Sequence, residues 1–218
     1  MTERSELIEL HNRLSKTLDE ERVAAKEKRH DKGYRTAREN LDDLIDRDSF
    51  VEYGQLAVAA QKSRREIEEL RTETAADGII TGFGKINGDI LQDSKALSAI
   101  IINDYSVLAG TQGYYHHKKL DRICETAEKQ NLPVIMYTEG GGGRPGDTDV
   151  HVQFAGLNIP SFSNWAKLRG KSIRIAVNNG YCFAGNAALF GTADFCISTK
   201  NSWLGMAGPA MIEGGGLG

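Results

Sequence analysis

Two rhythms of apolar residues divide the chain. From Ser5 to about Arg71, Leu and Ile recur at three- and four-residue intervals among dense Glu, Lys and Arg, the spacing of one apolar stripe on a helix. Helices are predicted over 4–29, 36–46 and 58–72, and most of their charges read as solvated faces. Thr36 followed by Glu39 fits a capping box, in which each side chain serves the other residue's backbone N–H, so ARENLDDLIDR opens a helix.

After Ala75-Ala76-Asp77-Gly78 the rhythm changes to short runs of β-branched residues bounded by Gly, Asn or Asp. GIITGFGKI, ALSAIIIND, LPVIMYT, SIRIAVNN and ADFCIST read as strands. Helical stretches fall between and after them, at about 112–130, 148–155, 161–169, 184–191 and 208–213, with Pro160 interrupting the segment that follows LPVIMYT. This alternation implies an α/β core with right-handed crossovers. The organisation expected is a helical extension over 1–75 and a core over 76–218.

Composition narrows the function. With 218 residues, 40% of them hydrophobic, the chain has enough apolar material for a sizeable core. A net charge of −3 argues against bulk attraction to nucleic acid or an anionic membrane, so any anion must be held locally. Cys124, Cys182 and Cys196 have no CxxC spacing, which suggests neither a zinc ribbon nor a disulfide framework and leaves no metal site expected. MTERSELIELHNRL lacks the apolar centre of a signal peptide and no run approaches a membrane span, so a cytoplasmic protein is expected.

The candidate chemistry lies in two glycine loops. YTEGGGGRPGD follows LPVIMYT directly, and glycine gives up roughly 0.5–1 kcal/mol relative to alanine in regular structure, so four in a row need a purpose. Placed inside the α/β core, before a helix expected to begin near Asp147, the loop lets N–H groups converge without Cβ obstruction. It is neither a Walker loop, since no GK[ST] follows, nor the GxGxxG dinucleotide fingerprint. A second such loop, VNNGYCFAGNAA, follows the next strand. Alone it is equally well explained by close helix packing; together the two loops suit one developing negative oxygen held between backbone donors, as an enolate requires.

These segments resemble the crotonase superfamily of acyl-CoA enzymes and, more closely, the N-terminal half of the carboxyltransferase (beta) subunit of biotin-dependent acyl-CoA carboxylases. TARENLDDLIDRDSFVE resembles that family's opening motif and ADGIITGFGKINGD its first hairpin. LAGTQGYYHHKKLDR, PVIMYTEGGGGRPGD, NNGYCFAGNAALFGTADFCIST and GPAMIEGGGLG follow in the family's order, over about residues 25–218. Glu139 stands where the family usually has serine, and Gly-Gly-Gly-Gly-Arg replaces its Gly-Gly-Ala-Arg.

The resemblance implies a crotonase-like ββα spiral with a helical N-terminal extension. It implies transfer of a carboxyl group from carboxybiotin to the α-carbon of an acyl-CoA. Oxyanion donors would come from Gly140, Gly141, Gly142, Gly143, Ala184 and Gly185. Biotin would be carried on a partner protein or domain, with a C-terminal carboxyltransferase half, a biotin carboxylase or carrier subunit and a homo-oligomer as partners. Lys32, Arg35 and Arg38 would meet CoA phosphates, because the family's opening motif lies near its nucleotide end. Tyr114, Tyr115 and His116 are candidates for lining the acyl or CoA channel. His116 and His117 are adjacent on a predicted helix and face different ways, so they do not form a metal pair. Asp194 and Glu213 read as structural. Two alternatives stay open: another crotonase-like acyl-CoA enzyme using Glu139 as acid or base, and a CoA-binding or assembly module without turnover.

Overall fold

The computed structural model describes residues 4–150 and 159–216. Six strands form one sheet in the order β1 (Val51–Tyr53), β2 (Ile79–Lys85), β3 (Leu97–Asn103), β4 (Val134–Tyr137), β5 (Arg174–Asn178) and β7 (Phe195–Ser198). The first three are antiparallel neighbours; from β3 onward the pairing is parallel. A separate parallel pair, β6 (Tyr181–Phe183) and β8 (Trp203–Gly205), stands beside it. All five strands read from the sequence are present. The three-residue strands β1, β6 and β8 are additions that so short a pattern does not announce.

Strand alternation sorts the core into two layers. Ile79, Ala99, Ile101, Val134 and Met136 point to one face. They pack there with Leu120, Ile123 and Ala127 of α6 (Tyr114–Gln130), Trp165 of α7 (Ser161–Lys167), and Leu189 of α8 (Gly185–Gly191). Ile80, Ile100, Ile102 and Ile135 point the other way, under Ala37 and Leu41 of α3 (Ala37–Leu44). The N-terminal segment therefore supplies a strand and a covering helix to the sheet. The capping box at Thr36 and Glu39 is formed in both directions.

Three helix boundaries differ from those read in the sequence. The stretch 4–29 is two helices, α1 (Ser5–Ser15) and α2 (Val23–His30), because the chain turns at Thr17, whose hydroxyl donates to Leu14 O at 2.7 Å. The stretch 58–72 is helical only in α4 (Ile67–Glu73): the Asp149 carboxylate takes the N–H groups of Lys62 and Ser63 at 2.7 and 2.8 Å, drawing that backbone into a turn. Among the described residues, up to 150, no helix begins near Asp147. Residues 148 and 149 form a turn, and most of the helix expected at 148–155 lies outside the described residues. A single turn, α5 (Asp93–Ala96), is added before β3, and helices α6, α7, α8 and α9 (Pro209–Gly214) stand close to where the pattern put them.

Candidate active site

Loops leaving the carboxyl ends of the parallel strands β3, β4 and β5 converge, the usual place for a ligand crevice in an open α/β sheet. The four-glycine loop after β4 is tightly held. Gly140 N–H donates to Tyr181 O at 2.6 Å, Gly141 N–H to Ala109 O at 3.0 Å, and Gly142 N–H to the Asn186 side-chain oxygen at 3.0 Å. Three of the four donors are thus spent on structure. Gly143 N–H has no partner among the described residues, and a Cβ added at Gly143 would meet nothing within 4 Å.

The second loop behaves the same way. Ala184, at φ 50°, donates its N–H to Gly205 O at 3.1 Å, while Gly185 N–H, at the start of α8, has no partner among the described residues. The loops adjoin at Gly142. Its φ is +88°, and an added Cβ would lie 2.6 Å from Ala184 Cβ and 3.5 Å from Gly185 N. Only glycine allows that approach in that conformation. Two unspent backbone donors, Gly143 and Gly185, therefore sit on adjoining loops.

The arginine closing the first loop is structural. Arg144 bonds Asp77 through Nη1 and Thr111 O through Nη2 at 2.7 Å, with Asp147 3.6 Å from Nη1. The same two carboxylates cap α6: Asp147 accepts Tyr114 N–H and Asp77 accepts His116 N–H, both at 2.7 Å. Asp147 therefore serves an earlier helix from beyond the loop. Burial raises the pKa of Asp77, and Arg144 opposes that rise.

Glu139, just before the glycines, is buried and gripped by Arg29 of α2, with Nη1 to Oε1 at 2.9 Å and Nη2 to Oε2 at 2.6 Å. Burial pushes its carboxyl up; the guanidinium opposes this. Arg29 also donates to Arg35 O and lies 5.0 Å from the Tyr34 ring centre and 5.5 Å from that of Tyr105. These side chains open onto a cleft of about 830 Å³ whose lining includes Lys28, Lys32, Leu108, Ala109 and Tyr181.

The named candidates separate in space. Lys32 lines the cleft and has no ion-pair partner among the described residues. Arg35 is exposed and paired with Asp43 at 2.7 Å; Arg38 is paired with Glu52 at 2.6 and 3.1 Å; neither lines the cleft. Tyr114 and Tyr115 stack edge to face on α6, outside the cleft lining. His116 is wholly buried, and burial pushes its pKa well below the ordinary histidine value. Asp194 is structural as expected, accepting Arg174 at 2.8 and 3.1 Å.

Sequence reasoning passed over Arg29, Tyr34, Tyr105 and Tyr181, which give no local signal among so many charges and rings. It also passed over Leu108 and Ala109, at φ 47° and 55° in the turn beyond β3. That turn carries a readable mark, an Ala-Gly pair between strand and helix, as Ala184-Gly185 does. No group of three or more potential metal ligands occurs among the described residues, and no helix there is long and apolar enough to cross a membrane.

Comparison with known proteins matches residues 28–214 to the carboxyl transferase domain. The chain is 30% identical to the beta5 subunit of a biotin-dependent acetyl-/propionyl-coenzyme A carboxylase of Mycobacterium leprae, over 97% of this chain and 36% of that protein. It is 30% identical to the methylmalonyl-CoA carboxyltransferase 12S subunit of Propionibacterium freudenreichii, over 86% of this chain and 33% of that one. Among solved structures, a single-chain, multi-domain long-chain acyl-CoA carboxylase superposes with a TM-score of 0.91 at 51% identity, covering 100% of this chain and 21% of that one. The transcarboxylase 12S hexamer core superposes at 0.77 and 25% identity, covering 98% and 39%. The chain thus spans about a third of the curated relatives it matches. Its fold is the crotonase-like one that the family resemblance implied, and the chain belongs to the carboxyl transferase domain family.

Proposed function

We propose that this chain binds an acyl-CoA and stabilises its thioester enolate, with the enolate oxygen between Gly143 N–H and Gly185 N–H, while the α-carbon receives a carboxyl group. The observation that carries the reading is the division of labour in the glycine loop: three N–H groups are spent on structure, and the one left over follows Gly142, whose Cβ position lies 3.5 Å from a second unspent donor, Gly185 N. Donors fixed beforehand and aimed at growing charge need no reorganisation during reaction, and each is worth about 3 kcal/mol. The cleft with Lys28 and Lys32 in its lining, joined to the glycine loop through Ala109 and Tyr181, whose carbonyls accept Gly141 and Gly140 N–H, accommodates the nucleotide end of CoA.

Carboxybiotin, if bound beside these loops, would supply the carboxyl group and, as the biotin anion left when carbon dioxide departs, a base for the α-proton. The residues present fit such a group arriving from outside: among the described residues nothing lies within 4 Å of a Cβ placed on Gly143. In this chain Arg29 and Glu139 fix the base of the first loop, and Gly140 and Tyr181 tie it to the second. The relatives' greater length and their biotin dependence support a C-terminal carboxyltransferase half, a biotin carboxylase or carrier subunit and a homo-oligomeric assembly as partners, and the cytoplasmic location rests on the sequence alone. The solved 12S relative is a hexamer core with methylmalonyl-CoA bound.

A crotonase-like enzyme using Glu139 as acid or base is less well supported, because Arg29 occupies both carboxylate oxygens. Calorimetry of the chain with CoA thioesters tests the binding half. Carboxyl exchange between malonyl-CoA or methylmalonyl-CoA and free biotin, with and without a C-terminal half, tests the transfer. Binding without exchange by the chain alone, and exchange on addition of the second half, is expected. Full carboxylation by this chain alone would contradict the division.

A further inference from the structure

Gln112 stands where the two glycine loops meet. Its backbone is tied to the first: Gln112 N–H donates to Gly142 O at 2.7 Å, Arg144 N–H donates to Gln112 O at 3.0 Å, and the residue pairs with Gly143 in an isolated parallel bridge. Its side chain reaches the second. A Cβ added at Gly185 would lie 2.6 Å from Gln112 Oε1 and 3.1 Å from Phe162 Cζ, so glycine at the first position of α8 leaves the space that the carboxamide occupies. Gln112 therefore borders both free donors, Gly143 through its backbone and Gly185 through its carboxamide.

That carboxamide is buried without being used. Gln112 is 3% exposed, and its Nε2 has no hydrogen-bond partner among the described residues. A buried N–H without a partner carries its full desolvation penalty, so it marks a missing acceptor. Asn186 also has an unpartnered side-chain nitrogen, but its oxygen takes Gly142 N–H at 3.0 Å and so fixes it as a support of the loop. Among the described residues no hydrogen bond holds the Gln112 carboxamide in this way. The outer torsion of a glutamine side chain is broad and roughly two-fold, so a half-turn exchanges Oε1 for Nε2 at the Gly185 edge.

We propose that the Gln112 side-chain amide is a third donor to the thioester enolate oxygen, beside Gly143 N–H and Gly185 N–H. The inference rests on the acyl-CoA reading above. A neutral amide gains most from an acceptor that carries charge, so this donor favours the enolate over the ground-state thioester. The loops after β3, β4 and β5 then each contribute one donor.

Calorimetric titration with propionyl-CoA, and with a CoA analogue carrying a nitronate in place of the thioester enolate, tests it in the unaltered chain, Gln112→Leu and Gln112→Glu. Thermal melts check folding. Gln112→Leu should cut the preference for the nitronate by about tenfold or more while changing propionyl-CoA affinity by less than about threefold. Gln112→Glu, which keeps an acceptor and adds a like charge, should cut it further. In the unaltered chain, the NMR signal of the Gln112 side-chain amide should move on binding the nitronate and stay in place on binding CoA alone, a readout that needs no folded variant. A nitronate preference that the unaltered chain shows and Gln112→Leu retains, or a side-chain signal that does not move, would overturn the third donor and leave the two backbone donors standing. A preference lost in Gln112→Leu but kept in Gln112→Glu would make the carboxamide an acceptor for Gly185 N–H and overturn the proposal. No nitronate preference in the unaltered chain would overturn the enolate reading together with it.

Discussion

Arg29 and Glu139, 110 positions apart, form a two-pronged buried ion pair with N–O distances of 2.9 and 2.6 Å, which joins helix α2 to the base of the glycine loop. Tyr181 N–H approaches the same carboxylate at 3.4 Å. One carboxylate thus bonds helix α2 and adjoins both loops of the candidate site.

Removing one member strands the other charge. Glu139→Gln or Arg29→Met should each destabilise the fold by about 3–5 kcal/mol, and the double variant by less than their sum. Urea denaturation of the four proteins measures this. Where Glu139→Gln stays folded in a reconstituted enzyme, most of the turnover should remain. Loss of nearly all turnover would favour Glu139 as acid or base.

Gly142→Ala places a methyl 2.6 Å from Ala184 Cβ at φ +88°. The strain should cost about 1–3 kcal/mol and push the loops apart. Denaturation should show the loss, and hydrogen exchange should show weakened protection of the Gly142 amide, now held by Asn186. Gly143→Ala meets open space and should change stability by less than about 0.5 kcal/mol.

Acid should weaken the fold through α6. His117 is buried, its Nδ1 is 2.8 Å from Ser161 Oγ, and burial lowers its pKa from 6.5 to about 4. A depressed folded value means the unfolded chain binds the proton first as pH falls. Stability should therefore drop between pH 6.5 and 4, by an amount on the order of 3 kcal/mol for this ring. His117→Gln should reduce the slope of unfolding free energy against pH near 5.5 by about one proton; an unchanged slope would contradict the burial.

Lys32→Glu should weaken binding of every CoA thioester about tenfold, with a reduced dependence on salt. Arg35→Glu, outside the cleft lining, should alter it less than twofold. Calorimetry at two ionic strengths separates them.

The sequence shows most of this core because β-branched runs and glycine punctuation are local marks. The five main strands and the Thr36 cap were legible for that reason. The break at Thr17 and the late start of α4 at Ile67 were not, since a hydroxyl turn and the Asp149 carboxylate, far along the chain, decide them. The two glycine loops were legible as a pair. Which amides remain free was not, because Ala109, Tyr181 and Asn186, from three other segments, consume the rest.

Capture of an enolate oxygen by those free amides can be tested on this chain without biotin. A CoA analogue carrying a nitronate in place of the thioester enolate should bind at least about 100-fold more tightly than propionyl-CoA, as transition-state mimics do. Gly143→Pro removes that donor and should abolish most of the advantage while changing propionyl-CoA affinity by less than about tenfold. Equal affinity of the two ligands for the unaltered chain, or an advantage that survives in folded Gly143→Pro, would contradict the enolate site.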